Sequence, residues 1–168
     1  KRIEQAIDTV RDLPGVVLDI VGSGWWEDQL RAYAADLGDR VIFHGHVGDD
    51  LKHALLARSA LHLMPSAKEG WGIAVVEAAQ HGVPTIGYRE AGGLRDSIDD
   101  GETGLLVDTE AEFHAAVRSL VANPERRAVL GAAARQRATQ YSWQETGRKF
   151  AALLDRVVRT EAGSEAEQ

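Results

Sequence analysis

ALHLMPSAKEGWGIAVVEAAQHGVPTIGY, residues 60–88, decides the fold. The opening run ALHLMP (60–65) is apolar, too short for a stable helix and closed by Pro65, so it reads as a strand. A loop carrying Gly70 and Gly72 follows, and then IAVVEAAQH (73–81), a helical stretch stopped by Gly82. PTIGY (84–88) is a second strand-forming run. Two strands joined through one helix form a parallel crossover unit, because parallel neighbours need a connection of that length.

The same alternation continues on both sides. Upstream lie a helix at 2–13 with Ile3, Ile7 and Val10 on one face, a strand at 16–21 between Pro14-Gly15 and Gly22-Ser23-Gly24, a helix at 26–37, a strand at 41–45 and a helix at 49–59. Downstream come a glycine-rich loop, a short helix at 94–98 and a strand at 104–107. After Val107 only helices follow, at 110–122, 124–140 and 143–158, with Asn123-Pro124 as a stop and restart. The pattern predicts a Rossmann-like α/β fold, one parallel sheet flanked by helices on both faces, ending in an all-helical segment. Residues 1–159 form the domain, and TEAGSEAEQ (160–168), which lacks periodicity, reads as a disordered tail. The first helix starts without a cap or lead-in, which suggests a piece cut from a longer chain.

Composition narrows the function. At 168 residues the chain is one domain on a prior of about 150 residues per domain. Nineteen basic against twenty-six acidic residues leave a net charge of −7 without a dense basic stripe, which argues against a nucleic-acid partner. The absence of cysteine excludes disulfides, thiol nucleophiles and iron–sulfur clusters. No apolar run reaches the roughly 18 residues of a membrane-spanning helix, and a cytoplasmic location is the expectation. The six histidines show no close metal-ligand spacing and no D-x-D motif occurs, so neither a metal nor a cofactor is expected.

Ligands of open parallel sheets bind at the carboxyl ends of the strands. The loops to examine are therefore 22–26, 45–50, 66–72 and 89–93. The third is the most informative, because Glu69-Gly70-Trp71-Gly72 runs straight into a helix whose first N–H groups lack partners and carry the positive end of its dipole. Such a terminus suits a diphosphate. Glu77 follows Glu69 by eight residues, and a carboxylate can accept two hydroxyl protons of a vicinal diol. From residue types alone the other reading is open too: an acid near a helix start also serves simply to complement the dipole.

EGWGIAVVEAAQHGVPTIGY, followed by GGLRDSIDDGETGLLV, resembles the donor-binding half of the family 4 (group 1) retaining glycosyltransferases of the GT-B fold. That family's pattern is an acid, G-[FWY]-G, a second acid eight positions after the first, a small-residue helix ending in G-x-P, a G-G loop and D-G-x-x-G-L-L-V. Residues 21–66 look like its preceding segment, so the likeness extends from Lys1 to about residue 158. Asp96 stands where many relatives carry Glu, and the family's upstream arginine and first strand have no counterpart in this stretch.

The resemblance implies a nucleotide-diphospho-sugar as donor and transfer of its sugar with retention of anomeric configuration. In that reading Glu77 holds the ribose and Glu69 is the catalytic residue beside the sugar. Backbone N–H groups of Gly70, Trp71 and Gly72 contact the sugar, those of Ile73 and Ala74 hold the diphosphate, and Lys1 is the diphosphate lysine. Val47 offers backbone to the base, with Asp49 and Lys52 at its edge. A carboxylate suits the paired N–H donors of guanine, which points toward a GDP-sugar, with a UDP-sugar as the other possibility. The implied partner is an N-terminal acceptor-binding domain of the same protein, through which peripheral membrane association would come. The fragment alone would be inactive. His46 borders the base loop, Trp25 and Trp26 stand at a strand end where they would stack on a base or pack between domains, and Trp71 is expected to offer backbone rather than ring.

Two alternatives remain: a GT-B relative that is not a transferase, such as a nucleotide-sugar 2-epimerase, and a non-catalytic nucleotide-binding module. A signalling receiver would need acidic strand ends where this chain has Gly22-Ser23 and Gly45-His46. A dinucleotide fold would need G-x-G-x-x-G, of which only the first two glycines are present, Gly22 and Gly24.

Overall fold

The computed structural model describes residues 1–165. The elements are α1 (Ile3–Arg11), β1 (Leu18–Val21), α2 (Glu27–Tyr33), β2 (Val41–Gly45), α3 (Asp49–Arg58), β3 (His62–Met64), α4 (Ile73–Gln80), β4 (Thr85–Tyr88), α5 (Leu94–Ser97), β5 (Gly104–Val107), α6 (Glu110–Ala122), α7 (Pro124–Ala138) and α8 (Trp143–Glu165). The alternation of strand and helix is as the sequence predicts, and so is the helical end.

The sheet differs from expectation. All pairings are parallel, but the strands form two sheets, β1-β2 and β3-β4-β5, instead of one. Leu18 lies opposite Val41, His62 opposite Thr85, and Thr85 opposite Gly104. β3 is cut to three residues just before Pro65, and β1 slips register between Ile20 and Val21.

Each sheet carries its own core. Around β4 and β5 are Ile86, Tyr88, Leu94, Phe113 and Leu130, with the Tyr88 and Phe113 rings stacked at 5.5 Å. All four β4 residues are buried, as a central parallel strand requires. Under α1 and α2 a second cluster gathers Ile7, Leu30, Ala34, Leu37 and Val41. A third, Val76, Ala79, Ala134 and Ala138, packs α4 on α7. There the chains come so close that a Cβ on Gly131 would lie 2.0 Å from the Gly82 carbonyl oxygen. The back of α4 is thus fixed, and its N-terminal end faces the loops.

Helix ends account for the remaining differences. The helix predicted at 26–37 stops at Tyr33 and gives way to a 3-10 turn, Ala35–Arg40, containing Gly38 at φ 54°. α7 ends at Ala138, followed by another 3-10 turn, Thr139–Tyr141. Its start is as predicted, with Pro124 in the first turn and the Asn123 side chain accepting from the Arg126 N–H at 2.8 Å. α8 continues to Glu165 and takes in the first part of the stretch 160–168; residues 166–168 of that expected tail lie outside the described residues.

Candidate functional site

The loop between β3 and α4 is clamped by the loop after β4. The Glu69 N–H donates to the Ala91 carbonyl at 2.9 Å, and the Gly93 N–H donates to the Glu69 carbonyl at 3.4 Å. A side chain at Gly93 has no room, since its Cβ would lie 1.5 Å from the Gly70 carbonyl oxygen. Gly72, at φ 81°, makes the left-handed turn into α4, and a Cβ there would meet Leu94 Cδ2 at 2.9 Å. The entrance of α4 is therefore shaped by Gly93 against the Gly70 backbone and by Gly72 against the Leu94 side chain.

The clamp turns the Glu69 carboxylate to a mostly covered position, with 12% of its side chain exposed, where it is ion-paired with Lys1. Arg2 places that lysine. It takes a left-handed conformation, φ 55°, just ahead of α1, and its guanidinium donates to Glu90 Oε1 at 2.8 Å, tying the start of α1 to the loop after β4. Burial alone would raise the Glu69 carboxyl, but Lys1 and the Ser66 hydroxyl outweigh it and hold the group below its ordinary value.

Glu77, in the second turn of α4, is half-buried and accepts a hydrogen bond from Lys52 Nζ at 2.7 Å. The same ammonium lies 2.9 Å from Asp49 Oδ1, at the start of α3. Glu77 first and Asp49 second raise the Lys52 pKa above the ordinary lysine value, and Lys52 lowers that of Asp49. The candidate residues thus fall into two ion-paired groups, Lys1 with Glu69 and Asp49 with Lys52 and Glu77. Val47 sits half-buried in the loop before α3, next to exposed His46. Ile73 is exposed in the first turn of α4, with Ala74 partly covered behind it. The Trp71 ring turns away from this entrance and packs edge-on against Tyr141, centroids 4.7 Å apart. Trp25 is exposed, and Trp26 donates from Nε1 to Glu4 at 2.9 Å.

The sequence did not reveal one neighbouring pair. His53 Nδ1 lies 2.9 Å from His81 Nε2, between the same two helices that Lys52 and Glu77 join. Spacing offers half the signal, since His81, directly after α4, follows Glu77 by one turn; which helix faces them is not legible. Among the described residues no group of three or more His, Asp or Glu side chains is placed to hold a metal ion, and no helix is long and apolar enough to cross a membrane.

Comparison with known proteins bears on these loops directly. Residues 1–137, which include every site residue named above except Tyr141, match the family described as glycosyl transferases group 1. The chain belongs to that family. As a group 1 glycosyl transferase it is 34% identical over 156 residues to a GDP-mannose-dependent alpha-(1-6)-phosphatidylinositol monomannoside mannosyltransferase of Mycolicibacterium smegmatis, covering 86% of this chain and 41% of that one. It is also 38% identical over 124 residues to a D-inositol 3-phosphate glycosyltransferase of Rhodococcus opacus, covering 71% of this chain and 27% of the relative. Among solved structures, a sucrose-phosphate synthase from Thermosynechococcus elongatus superposes with a TM-score of 0.81 at 25% identity, over 94% of this chain and 42% of that one. The fold is that of the GT-B glycosyltransferases, and the chain spans less than half the length of these relatives.

Proposed function

We propose that this chain binds the nucleotide-diphospho-sugar donor of a retaining glycosyl transfer and, with an N-terminal acceptor-binding domain, moves the sugar to an acceptor. The observation that carries the reading is the pair Glu69 and Glu77 on either side of the α4 entrance, each matched to a lysine. Glu77 accepts from the ribose hydroxyls. The N–H groups of Ile73 and Ala74, at the positive end of α4, hold the diphosphate. Lys1, with 64% of its side chain exposed, swings from Glu69 to the same phosphates. Its departure frees Glu69 to accept from the hydroxyls of the sugar, beside the N–H groups of Gly70, Trp71 and Gly72. Val47 and Asp49 face the base.

In the reaction the bond from the anomeric carbon to the phosphate oxygen breaks as the acceptor oxygen bonds to the same face. The acceptor's proton passes to the departing phosphate oxygen. Negative charge grows on the diphosphate, where Lys1 and the helix terminus oppose it. In this reading the Glu69 carboxylate opposes the positive charge that develops at the anomeric carbon. The Mycolicibacterium relative's dependence on GDP-mannose supports a nucleotide-sugar donor.

Calorimetric titration with GDP, UDP, ADP and NAD tests the donor site. Binding of a nucleoside diphosphate that Glu77→Gln removes, with no binding of NAD, supports the reading; NAD alone binding overturns it. Joined to its acceptor domain, the protein gives a product whose anomeric proton coupling reports retention. Turnover of donor without acceptor would instead favour a 2-epimerase.

A further inference from the structure

Among the described residues Arg2 is the only one besides glycine with a positive φ, 55°, and it stands directly between Lys1 and the first turn of α1. A side chain makes the left-handed region unfavourable, and such strain persists only where the surroundings hold it. Here they do. The guanidinium donates to Glu90 Oε1 at 2.8 Å and lies over the Tyr88 ring, 5.3 Å from its centroid. The Arg2 carbonyl accepts from the Gln5 N–H at 3.1 Å, and the Gln5 side chain accepts from the Tyr88 hydroxyl at 2.9 Å. Tyr88 is buried at the end of β4, so the first turn of α1 is seated on the central strand of the larger sheet. We propose, resting on the donor-site reading above, that Arg2 is a positioning residue: its left-handed turn, latched by Glu90 and Tyr88, sets Lys1 against Glu69 at the α4 entrance, where the lysine meets the diphosphate.

The Arg2–Glu90 ion pair is exposed, and exposed pairs add little to stability. What matters is where Glu90 sits. The neighbouring Ala91 carbonyl accepts the Glu69 N–H at 2.9 Å. One short loop after β4 therefore holds both members of the Lys1–Glu69 ion pair, the acid through its backbone and the lysine through Arg2. With 64% of its side chain exposed, Lys1 is little held by packing, so the direction of the chain at Arg2 decides where its ammonium falls. An extended or helical residue 2 would send Lys1 elsewhere. A lysine placed beforehand also loses less freedom when an anion arrives. Glycine takes a φ of 55° without cost, whereas arginine takes it with a side chain that reaches an anchor. Turn and latch are thus separate ingredients, and each can be removed alone.

Two measurements test this: calorimetry with whichever of GDP, UDP and ADP binds the wild type tightest, and an NMR pH titration of the Glu69 carboxyl carbon. Both are made on the wild type, Lys1→Met, Arg2→Ala, Arg2→Gly and Glu90→Gln, with melting curves to show that each is folded. Lys1→Met weakens the nucleotide about ten-fold, the size of one charge-assisted contact. It also moves the Glu69 carboxyl up, since burial raises that group and Lys1 with the Ser66 hydroxyl lowers it. Arg2→Ala reproduces both effects with Lys1 still present, and costs less than about two-fold more when added to Lys1→Met. Arg2→Gly, free to make the turn, loses at most about three-fold. Glu90→Gln loses a similar factor in the wild type and nothing in Arg2→Gly, where the guanidinium it holds is gone. An arginine serving stability alone would lower the melting temperature and leave the Glu69 titration in place. Unchanged affinity and Glu69 titration in folded Arg2→Ala overturn the proposal. So does a full second loss on top of Lys1→Met, which would make Arg2 a phosphate contact itself. If Glu77→Gln still abolishes nucleotide binding in those cases, the donor site stands and only the role of Arg2 falls. If no nucleoside diphosphate binds the wild type, both fall.

Discussion

A Cβ placed on Gly93 would lie 1.5 Å from the carbonyl oxygen of Gly70. The obstacle is backbone on both sides, so no rotamer change relieves it. Gly93→Ala must therefore separate the two loops that shape the α4 entrance. A loss of about 3 kcal/mol or more is expected, at the upper end of overpacking costs. Gly24→Ala, with nothing within 4 Å of its Cβ, is the matched control. Melting curves for the two variants that coincide would refute the clamp.

Glu69 and Glu77 should separate by ligand. Glu77→Gln lowers affinity for nucleoside diphosphate and nucleotide-sugar alike, because both carry ribose. Glu69→Gln spares the diphosphate and weakens only the sugar-bearing form, by about ten-fold for one lost charged hydrogen bond. Parallel titrations check this, and equal loss of both ligands in Glu69→Gln would remove Glu69 from the sugar.

His62 gives the fold a pH dependence. Its ring is covered at the start of β3, with Nδ1 3.0 Å from the Thr85 hydroxyl, and burial pushes its pKa down to about 4 despite the nearby Glu77 charge. Unfolded, the same ring titrates near about 6.5. The unfolded chain thus binds more protons between those values, so this contribution is complete above about pH 6.5 and lost as pH falls toward 4. The loss amounts to at most about 3 kcal/mol for a single group. Urea midpoints at pH 7 and pH 5 should fall further apart in the wild type than in His62→Gln; identical differences would show that His62 is not the source.

Trp71 and Tyr141 should be energetically coupled. Their edge-on contact at 4.7 Å links the α4 entrance to the turn before α8. A double-mutant cycle with Trp71→Leu and Tyr141→Leu should give about 0.5–1.5 kcal/mol of coupling. Strict additivity would mean the rings are neighbours without consequence.

Much of this was legible in the sequence because it depends on local signals. Gly82 and Asn123-Pro124 end helices by backbone chemistry, and Glu69 to Glu77 is a spacing along one loop and helix. Pairings across the fold were not legible. Lys52 with Glu77 and His53 with His81 each join residues more than twenty positions apart, and nothing in either segment names its partner. The split sheet was equally hidden, because an apolar run shows that a strand forms without showing which edge it meets. Tyr33 ends α2 early since Gly38, at φ 54°, redirects the chain by a turn that helical spacing of Leu30 and Leu37 conceals.

Two short sheets have a colloidal consequence. In each sheet the outer strands pair on one side only. Every such edge is a row of amides and carbonyls able to recruit another molecule. Brevity is the first defence, since among the described residues no strand exceeds five residues. Mutual repulsion is the second, at a net charge of −7. Acid first cancels that repulsion, so self-association of the folded protein should peak near the pI of about 5.3, steepen with concentration, and recede as further protonation makes the chain positive.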